Sequence, residues 1–201
     1  MENPTDIYNN SRVFANSFYD DWTDEIKQTV VSRLTLPISG MDIDELLKLG
    51  ERGEYSYSGN LGGATFLEED LPTQIQEVLA PFKQDLKPEV IREYAGKKKT
   101  LTPYIVGHIE SGQCVVPHVD PTREMILIMQ LGHPGTEMAP LEIYHNNQII
   151  YVDNNAICLY AVNTKQIHGV MNTYFPSRYT FQVSMGITYK EFVQKYRTYI
   201  V

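Results

Sequence analysis

Two side chains able to bind a metal stand one residue apart at the end of an apolar run. In "VVPHVDP", Val115 to Pro121, His118 and Asp120 flank a single valine and a proline closes the stretch. Residues two apart on a strand leave the same face, roughly 7 Å apart along the chain. An imidazole and a carboxylate presented together suit a divalent metal of hard-to-borderline character. Taken alone, the pair reads more simply as a turn cap beside Pro121, and a metal needs a third ligand from elsewhere. His168 offers one about fifty residues further on, and Arg178 follows ten residues after it. Arg178 opens the run "RYTFQVSM", in which Arg178, Thr180, Gln182 and Ser184 share one strand face while Tyr179, Phe181, Val183 and Met185 share the other. A wholly polar face headed by arginine either meets water or lines a polar cavity.

The elements that must position these residues follow two grammars. The first hundred residues read mostly as helix and loop. "DWTDEIKQTVVSRL" has Thr23 as an N-cap with acids in the first turn. "MDIDELLKLGERG" reads as a helix stopped by Gly50 and Gly53. "LPTQIQEVLAPF" starts behind Thr73 and is broken by Pro81. "KPEVIREYAG" runs helically from Pro88 to Gly96, and "YSYSGNLGGATF" reads as a glycine-rich loop without a phosphate-binding pattern. From about residue 98 the chain turns to short β-branched and aromatic runs: "TPYIVGHI", "QCVVPHV", "EMILIMQL", "LEIYHNNQIIYV", "NAICLYAV" and "YTFQVSMGI". "HNN" at 145–147 reads as a hairpin tip, "GHPG" at 132–135 and "VDNNA" at 152–156 as turns. Many short strands at regular spacing imply an antiparallel sandwich or barrel. One domain is expected over residues 1–201, with helical support over 1–97, a β core over 98–190, and a last helix or strand over 191–201.

The bulk numbers narrow the partners. Among 201 residues, 42% hydrophobic and 21% charged is ordinary for a globular protein. A net charge of −8 argues against a broad nucleic-acid footprint, which needs a basic face. "GKKKT" at 96–100 reads as a solvated loop. There is no apolar run of bilayer length and no secretory pattern. Cys114 and Cys158 read as reduced thiols of a cytoplasmic protein. Of the other histidines, His133 and His145 read as turn residues and His108 as a hydrogen-bonded core residue. Glu142 reads as a solvent-facing strand carboxylate. If strand parity holds, Cys114 and Val116 lie beside the ligands, and Arg123, Tyr174 and Phe175 are rim contacts.

The order His-x-Asp, some fifty residues, His, then Arg ten further on resembles the iron(II)- and 2-oxoglutarate-dependent oxygenases over roughly residues 98–190. "SGQCVVPHVD" places Gly112 six residues before the first ligand, as in the prolyl 4-hydroxylase-like branch. "HGV" follows the distal histidine as it commonly does there, and "RYT" is similar to the family's R-x-S/T pair. The resemblance implies an α+β fold, a double-stranded β-helix (jelly-roll, cupin-like) with N-terminal helices packed on one face of the sheet. It implies Fe(II) held by His118, Asp120 and His168, with 2-oxoglutarate filling two further positions and O₂ the last. Arg178 and Thr180 would take the far carboxylate of 2-oxoglutarate. Tyr104 could hydrogen-bond the same molecule, unless a β-bulge turns it away. The implied reaction hydroxylates a C–H bond of a peptidyl or free amino acid and converts 2-oxoglutarate to succinate and CO₂. The carboxylate at Asp120 argues against halogenation. One departure stands out, because the prolyl 4-hydroxylase-like branch usually has lysine where Arg178 stands. Two other readings compete: a cupin-like metalloenzyme without 2-oxoglutarate, and a non-catalytic jelly-roll binding module. Oligomeric state is silent.

Overall fold

A computed structural model describes residues 15–17, 19–35, 43–90, 101–131, 138–152, 158–171 and 174–201. Its strands are β1 (Ala15–Ser17), β2 (Val31–Leu34), β3 (Ser56–Ser58), β4 (Leu61–Phe66), β5 (Glu89–Val90), β6 (Leu101–Thr102) and β7 (Tyr104–Ile109). There follow β8 (Cys114–His118), β9 (Met125–Leu131), β10 (Leu141–His145), β11 (Gln148–Val152), β12 (Leu159–Val162), β13 (Ile167–Met171) and β14 (Arg178–Met185). The α-helices are α1 (Asp24–Thr29), α2 (Ile43–Glu51), α3 (Thr73–Leu79) and α4 (Tyr189–Lys195).

Two sheets carry the architecture. One has the order β1-β11-β10-β13-β8 and the other β2-β12-β9-β14-β7-β4-β3, while β5 and β6 form a separate pair. Alternation on the long central strands divides the apolar residues into two layers. Ile126 and Ile128 of β9 meet Ile143 and Ile150 of the facing sheet, together with Trp22 and Ile26 at the start of α1. Met125, Leu127 and Met129 of the same strand turn the other way, where they share a core with Leu49, Ile75, Phe82 and Phe192 from the helical segments. β9 is therefore buried on both faces, as its sequence, apolar at every position but Gln130, requires. At the β10–β11 hairpin both Asn146 and Asn147 have positive φ, 46° and 61°, the pairing that a two-residue hairpin turn of matching twist demands and asparagine tolerates.

Several expectations for the first half are corrected. Thr23 does cap α1, accepting from the Ile26 N–H, but the helix ends at Thr29. The β-branched pair Val30–Val31 favours extended chain, and β2 pairs with β12 instead. Gly50 sits inside α2 rather than ending it. A Cβ there would come within 3.1 Å of the Tyr179 ring, so the glycine serves close packing on β14. α3 begins at Thr73 behind Pro72, and Pro81 starts a 3₁₀ turn over Ala80–Asp85. The glycine-rich 55–66 segment is no loop. It forms the β3–β4 hairpin and adds β4 to β7. Glu89–Val90 is strand, paired with β6, where a helix was expected. The rest of that expected helix, the basic cluster at 96–100, His133 and the turns at 132–135 and 153–156 lie outside the described residues. The C-terminal segment resolves to helix: α4 is closed by a Thr188–Glu191 capping box.

α4 is tied back to the 3₁₀ turn by Asp85, whose Oδ2 accepts from Lys195 Nζ at 2.7 Å and from the Tyr196 hydroxyl. Burial pushes the Asp85 carboxyl up, but those two hydrogen bonds outweigh it and hold the group below its ordinary value. A depressed carboxyl stabilises the fold above its unfolded-state pKa and loses that contribution as pH falls through the folded one. Asp85→Asn should therefore lower the melting temperature at neutral pH by about 2–4 °C, what ~1 kcal/mol means for a chain of this size. The gap to wild type should close in acid, and a gap independent of pH in thermal scans would contradict the assignment.

Candidate active site

β8 and β13 bring two histidines face to face. His168 pairs directly with His118 in the antiparallel register, and their ring centroids are 4.5 Å apart. The register then slips, so that Val170 stands opposite Val115. This bulge lets Val115 and His118, three apart in sequence, both line the space between the sheets, while Val116 is thrown outward and is 68% exposed. Cys114 and Val116 accordingly do not flank the ligands, because the bulge resets strand parity. Gly169 makes the slip possible. A Cβ on it would meet the Val115 carbonyl oxygen at 2.8 Å and Pro117 backbone atoms at 3.1 and 3.2 Å.

Asp120 lies two residues past the end of β8, and its Oδ1 is 3.5 Å from His118 Nε2. One ligand atom each from His118, Asp120 and His168 fall within 4.8 Å of one another. Each histidine directs Nδ1 to a carbonyl two residues back, His118 to Val116 and His168 to Gln166, both at 2.9 Å. A carbonyl can only accept, so Nδ1 carries a proton, and in the neutral form of each ring the Nε2 lone pair is left for the shared point. The set is two neutral nitrogens and one carboxylate oxygen on one side of a cavity, the donor set that leaves an octahedral Fe(II) with open positions.

Electrostatics favour the ligand forms of His168 and Asp120, whereas His118 must give up a proton to bind a metal. Burial pushes His168 down, toward the neutral imidazole. The hydrogen bond to Asp120 raises His118 against its own desolvation. Burial pushes Asp120 up, but the hydrogen bond from His118 and the nearby charges of His168 and Arg123 prevail and hold it low.

A cavity of about 60 Å³ lies among these side chains, between the sheets. Its walls are mainly apolar, with Ile109, Ile126, Leu141, Val162 and Val170 among them, and His118, Asp120, Arg123, His168, Gln182 and Arg178 supply the polar lining. Arg178, first residue of β14, is 3% exposed. Its Nε donates to Gln130 Oε1 at 3.1 Å, whereas Nη2 is buried with no hydrogen-bond partner among the described residues. Desolvation pulls the guanidinium down to about 10. Such a cation is costly to bury unless an anion joins it. Thr180 is buried on the same strand face and accepts from Gln182 Nε2 at 3.0 Å. Gly107 on β7 leaves room for both, since a Cβ there would sit 2.7 Å from the Thr180 hydroxyl.

Not every candidate converges. Tyr104 is turned away, into the helix-side core, where it stacks on Phe181 at 6.4 Å. Its phenol is pushed up to about 12 by burial, with help from Glu68. β7 and β8 belong to different sheets, so counting parity across the Glu110–Gln113 turn puts Tyr104 on the wrong side. His108 shares that outer face, stacked on Tyr179 at 4.5 Å and hydrogen-bonded to the Tyr57 hydroxyl. Glu142 is buried rather than solvent-facing, accepts from the Tyr144 hydroxyl at 2.6 Å, and does not line the cavity. His145 meets Gln166, and Tyr174 is 94% exposed. Two further residues bear on the site, Gln182 in the cavity wall and Gln130 behind Arg178. Gln182 was visible only as part of a polar face. Gln130, the one polar residue in the apolar run of β9, was the available signal for a buried partner of Arg178.

Comparison with known proteins gives a fold. No protein-family profile and no curated protein sequence matches the chain. Solved structures do. An oxidoreductase of the 2OG-Fe(II) oxygenase family from Burkholderia pseudomallei aligns with TM-score 0.53 at 9% identity, over 83% of this chain and 90% of that one. The chain has the double-stranded β-helix fold of the 2-oxoglutarate–iron(II) oxygenases. A Trichoplax adhaerens prolyl hydroxylase, solved with a peptide fragment of the hypoxia inducible factor oxygen degradation domain, aligns with TM-score 0.54 at 13% identity, over 84% of this chain and 89% of that one. A Pseudomonas putida prolyl-4-hydroxylase gives TM-score 0.54 at 13% identity, over 81% and 95%. The helices on one face of the larger sheet belong to the expected architecture.

Two outcomes test the site. Gly169→Ala should cost about 1–3 kcal/mol of stability, because the atoms it meets are backbone, and should weaken divalent-metal binding with it. Unchanged melting and metal affinity would contradict the tight β8–β13 approach. A metal must also displace the proton that Asp120 favours on His118. Affinity should therefore fall about tenfold per pH unit below the raised His118 pKa, as calorimetry across pH would show.

Proposed function

We propose that this protein is an Fe(II)- and 2-oxoglutarate-dependent dioxygenase that hydroxylates a C–H bond of a peptidyl or free amino acid. The observation that carries the reading is the meeting of two features in one cavity: a His118–Asp120–His168 donor set, and a buried Arg178 whose Nη2 has no hydrogen-bond partner among the described residues. A dicarboxylate with a metal-chelating 2-keto acid end and a free carboxylate at the other matches both.

Bound iron with 2-oxoglutarate would supply the oxidising power, in the balance R–H + O₂ + 2-oxoglutarate → R–OH + succinate + CO₂. The chain's own residues do the rest. The Val116 and Gln166 carbonyls hold the Nδ1 protons of His118 and His168, so each ring in its neutral form offers Nε2. Asp120 adds one negative charge, offsetting part of the metal's. Arg178 receives the far carboxylate through a planar fork, and Gln130 fixes the angle of that fork through Nε. The Thr180 hydroxyl, whose lone pair is used by Gln182, has its proton to donate to the same carboxylate. The apolar walls exclude water, which strengthens each of these interactions. The substrate side is the more open side, since the His118 side chain is 36% exposed and Arg123 20%, whereas Arg178 is closed off. An amino-acid or peptide substrate is supported by the similarity in fold to the prolyl hydroxylase solved with a peptide.

The test is an anaerobic titration of 2-oxoglutarate into Fe(II)-loaded protein, followed by its visible charge-transfer band. Wild type should develop the band. Arg178→Ala should need roughly thirty-fold or more 2-oxoglutarate, the equivalent of losing about 2–5 kcal/mol from a buried charge pair. No band in folded, iron-loaded protein would leave a metallo-cupin without 2-oxoglutarate as the better reading. An unchanged half-saturation in the variant would remove Arg178 as the anchor.

A further inference from the structure

Asp120 poses a positioning problem that its own strand does not solve. β8 ends at His118, and Pro121 has no N–H with which to continue a ladder. A ligand carboxylate on such a segment must be held by something else.

The carboxylate meets His118 and, at 3.9 Å, Arg123, but the backbone of the segment is held from one turn, Asn163 to Gln166, between β12 and β13. The Thr164 carbonyl accepts from the Asp120 N–H at 3.1 Å. Lys165 Nζ donates to the Asp120 carbonyl at 3.1 Å and to the Pro121 carbonyl at 3.3 Å. The same ammonium lies 3.4 Å from Glu124 Oε1, so its three donors each face an acceptor. The Thr164 hydroxyl, in a fully buried residue, donates to the Arg123 carbonyl at 2.9 Å. Within the turn, Lys165 N–H donates to Asn163 Oδ1 at 3.1 Å, which sets the direction in which the lysine leaves. One residue on from Lys165, the Gln166 carbonyl orients His168.

We infer that Lys165 is a positioning residue for the metal centre: its ammonium clamps the Asp120 and Pro121 carbonyls and so presents the Asp120 carboxylate beside the two histidines. The inference rests on the proposed metal site. It has a sign that separates it from plain electrostatics. Removing a positive charge near a cation site should by Coulomb's law tighten cation binding. Removing a clamp should loosen it, as losing the outer groups that orient a ligand typically does by about 10–100-fold.

Calorimetric titration of Co(II) into the metal-free full chain decides the matter, with wild type, Lys165→Met, Asp120→Ala and the double variant compared. Lys165→Met should weaken Co(II) binding about tenfold or more. In the Asp120→Ala background the same change should have no effect on the residual affinity of the two histidines. Unchanged or tighter binding in Lys165→Met would overturn the inference. So would an equal loss in both backgrounds, the result expected from damage to the fold rather than to Asp120. Wild-type protein that takes up no metal would refute the metal reading itself, which differs visibly from a wild type and variant that bind equally.

Discussion

Where β13 crosses β8, His168 stands opposite His118, and the register slips immediately afterwards so that Val170 meets Val115. Most of the site depends on that slip. It points both Val115 and His118 into the space between the sheets, and it ends β8 at the place where the chain must turn to bring Asp120 back. The slip in turn depends on the missing side chain at Gly169, since a β-carbon there would collide with the backbone of the opposing strand. A two-residue sequence feature, His168–Gly169, therefore combines a ligand with the backbone freedom that lets the ligand meet its partner.

The second constraint is charge in a dry place. β14 turns Phe181, Val183 and Met185 toward the helices and Arg178, Thr180, Gln182 and Ser184 toward the other sheet. A polar strand face between two sheets is tolerable only when its groups are satisfied. Thr180 and Gln182 satisfy each other, Gln182 also accepts from Arg123, and Arg178 finds Gln130. What remains is Nη2 of Arg178 and the hydroxyl of Ser184, both buried without a hydrogen-bond partner among the described residues. Arg178 lines the cavity that also holds the histidines, so its incomplete satisfaction points to a ligand. Ser184 has no such neighbour, and nothing in the structure explains it.

Much of the β half was legible because period-two alternation and turn chemistry are local. The strand limits, the Asn146–Asn147 hairpin tip and the polar face of β14 all follow from neighbouring residues. The helical half was read less well for an equally physical reason. "VVSRL" and "YSYSGNLGGATF" become strands because β12 and β7 offer them an edge, a tertiary fact that propensity does not contain. Strand parity also failed wherever it was carried across a feature that resets it. The bulge after Val115 moved Cys114 and Val116 off the ligand face, and the passage from one sheet to the other sent Tyr104 into the helix-side core. Gln130 and Lys165 were missed because their importance lies in partners some forty-five residues away.

The central claim is that the donor set and Arg178 act on one molecule. Thermodynamic linkage tests it most directly: if 2-oxoglutarate bridges the metal and the arginine, metal and 2-oxoglutarate must strengthen each other's binding by the same factor. The measurement is the 2-oxoglutarate dissociation constant under anaerobic conditions, with and without Fe(II). The account predicts that iron tightens 2-oxoglutarate binding by about tenfold or more, within the range of ordinary site–site coupling. Equal affinity with and without iron would mean that the two features serve different ligands, and the account would be wrong.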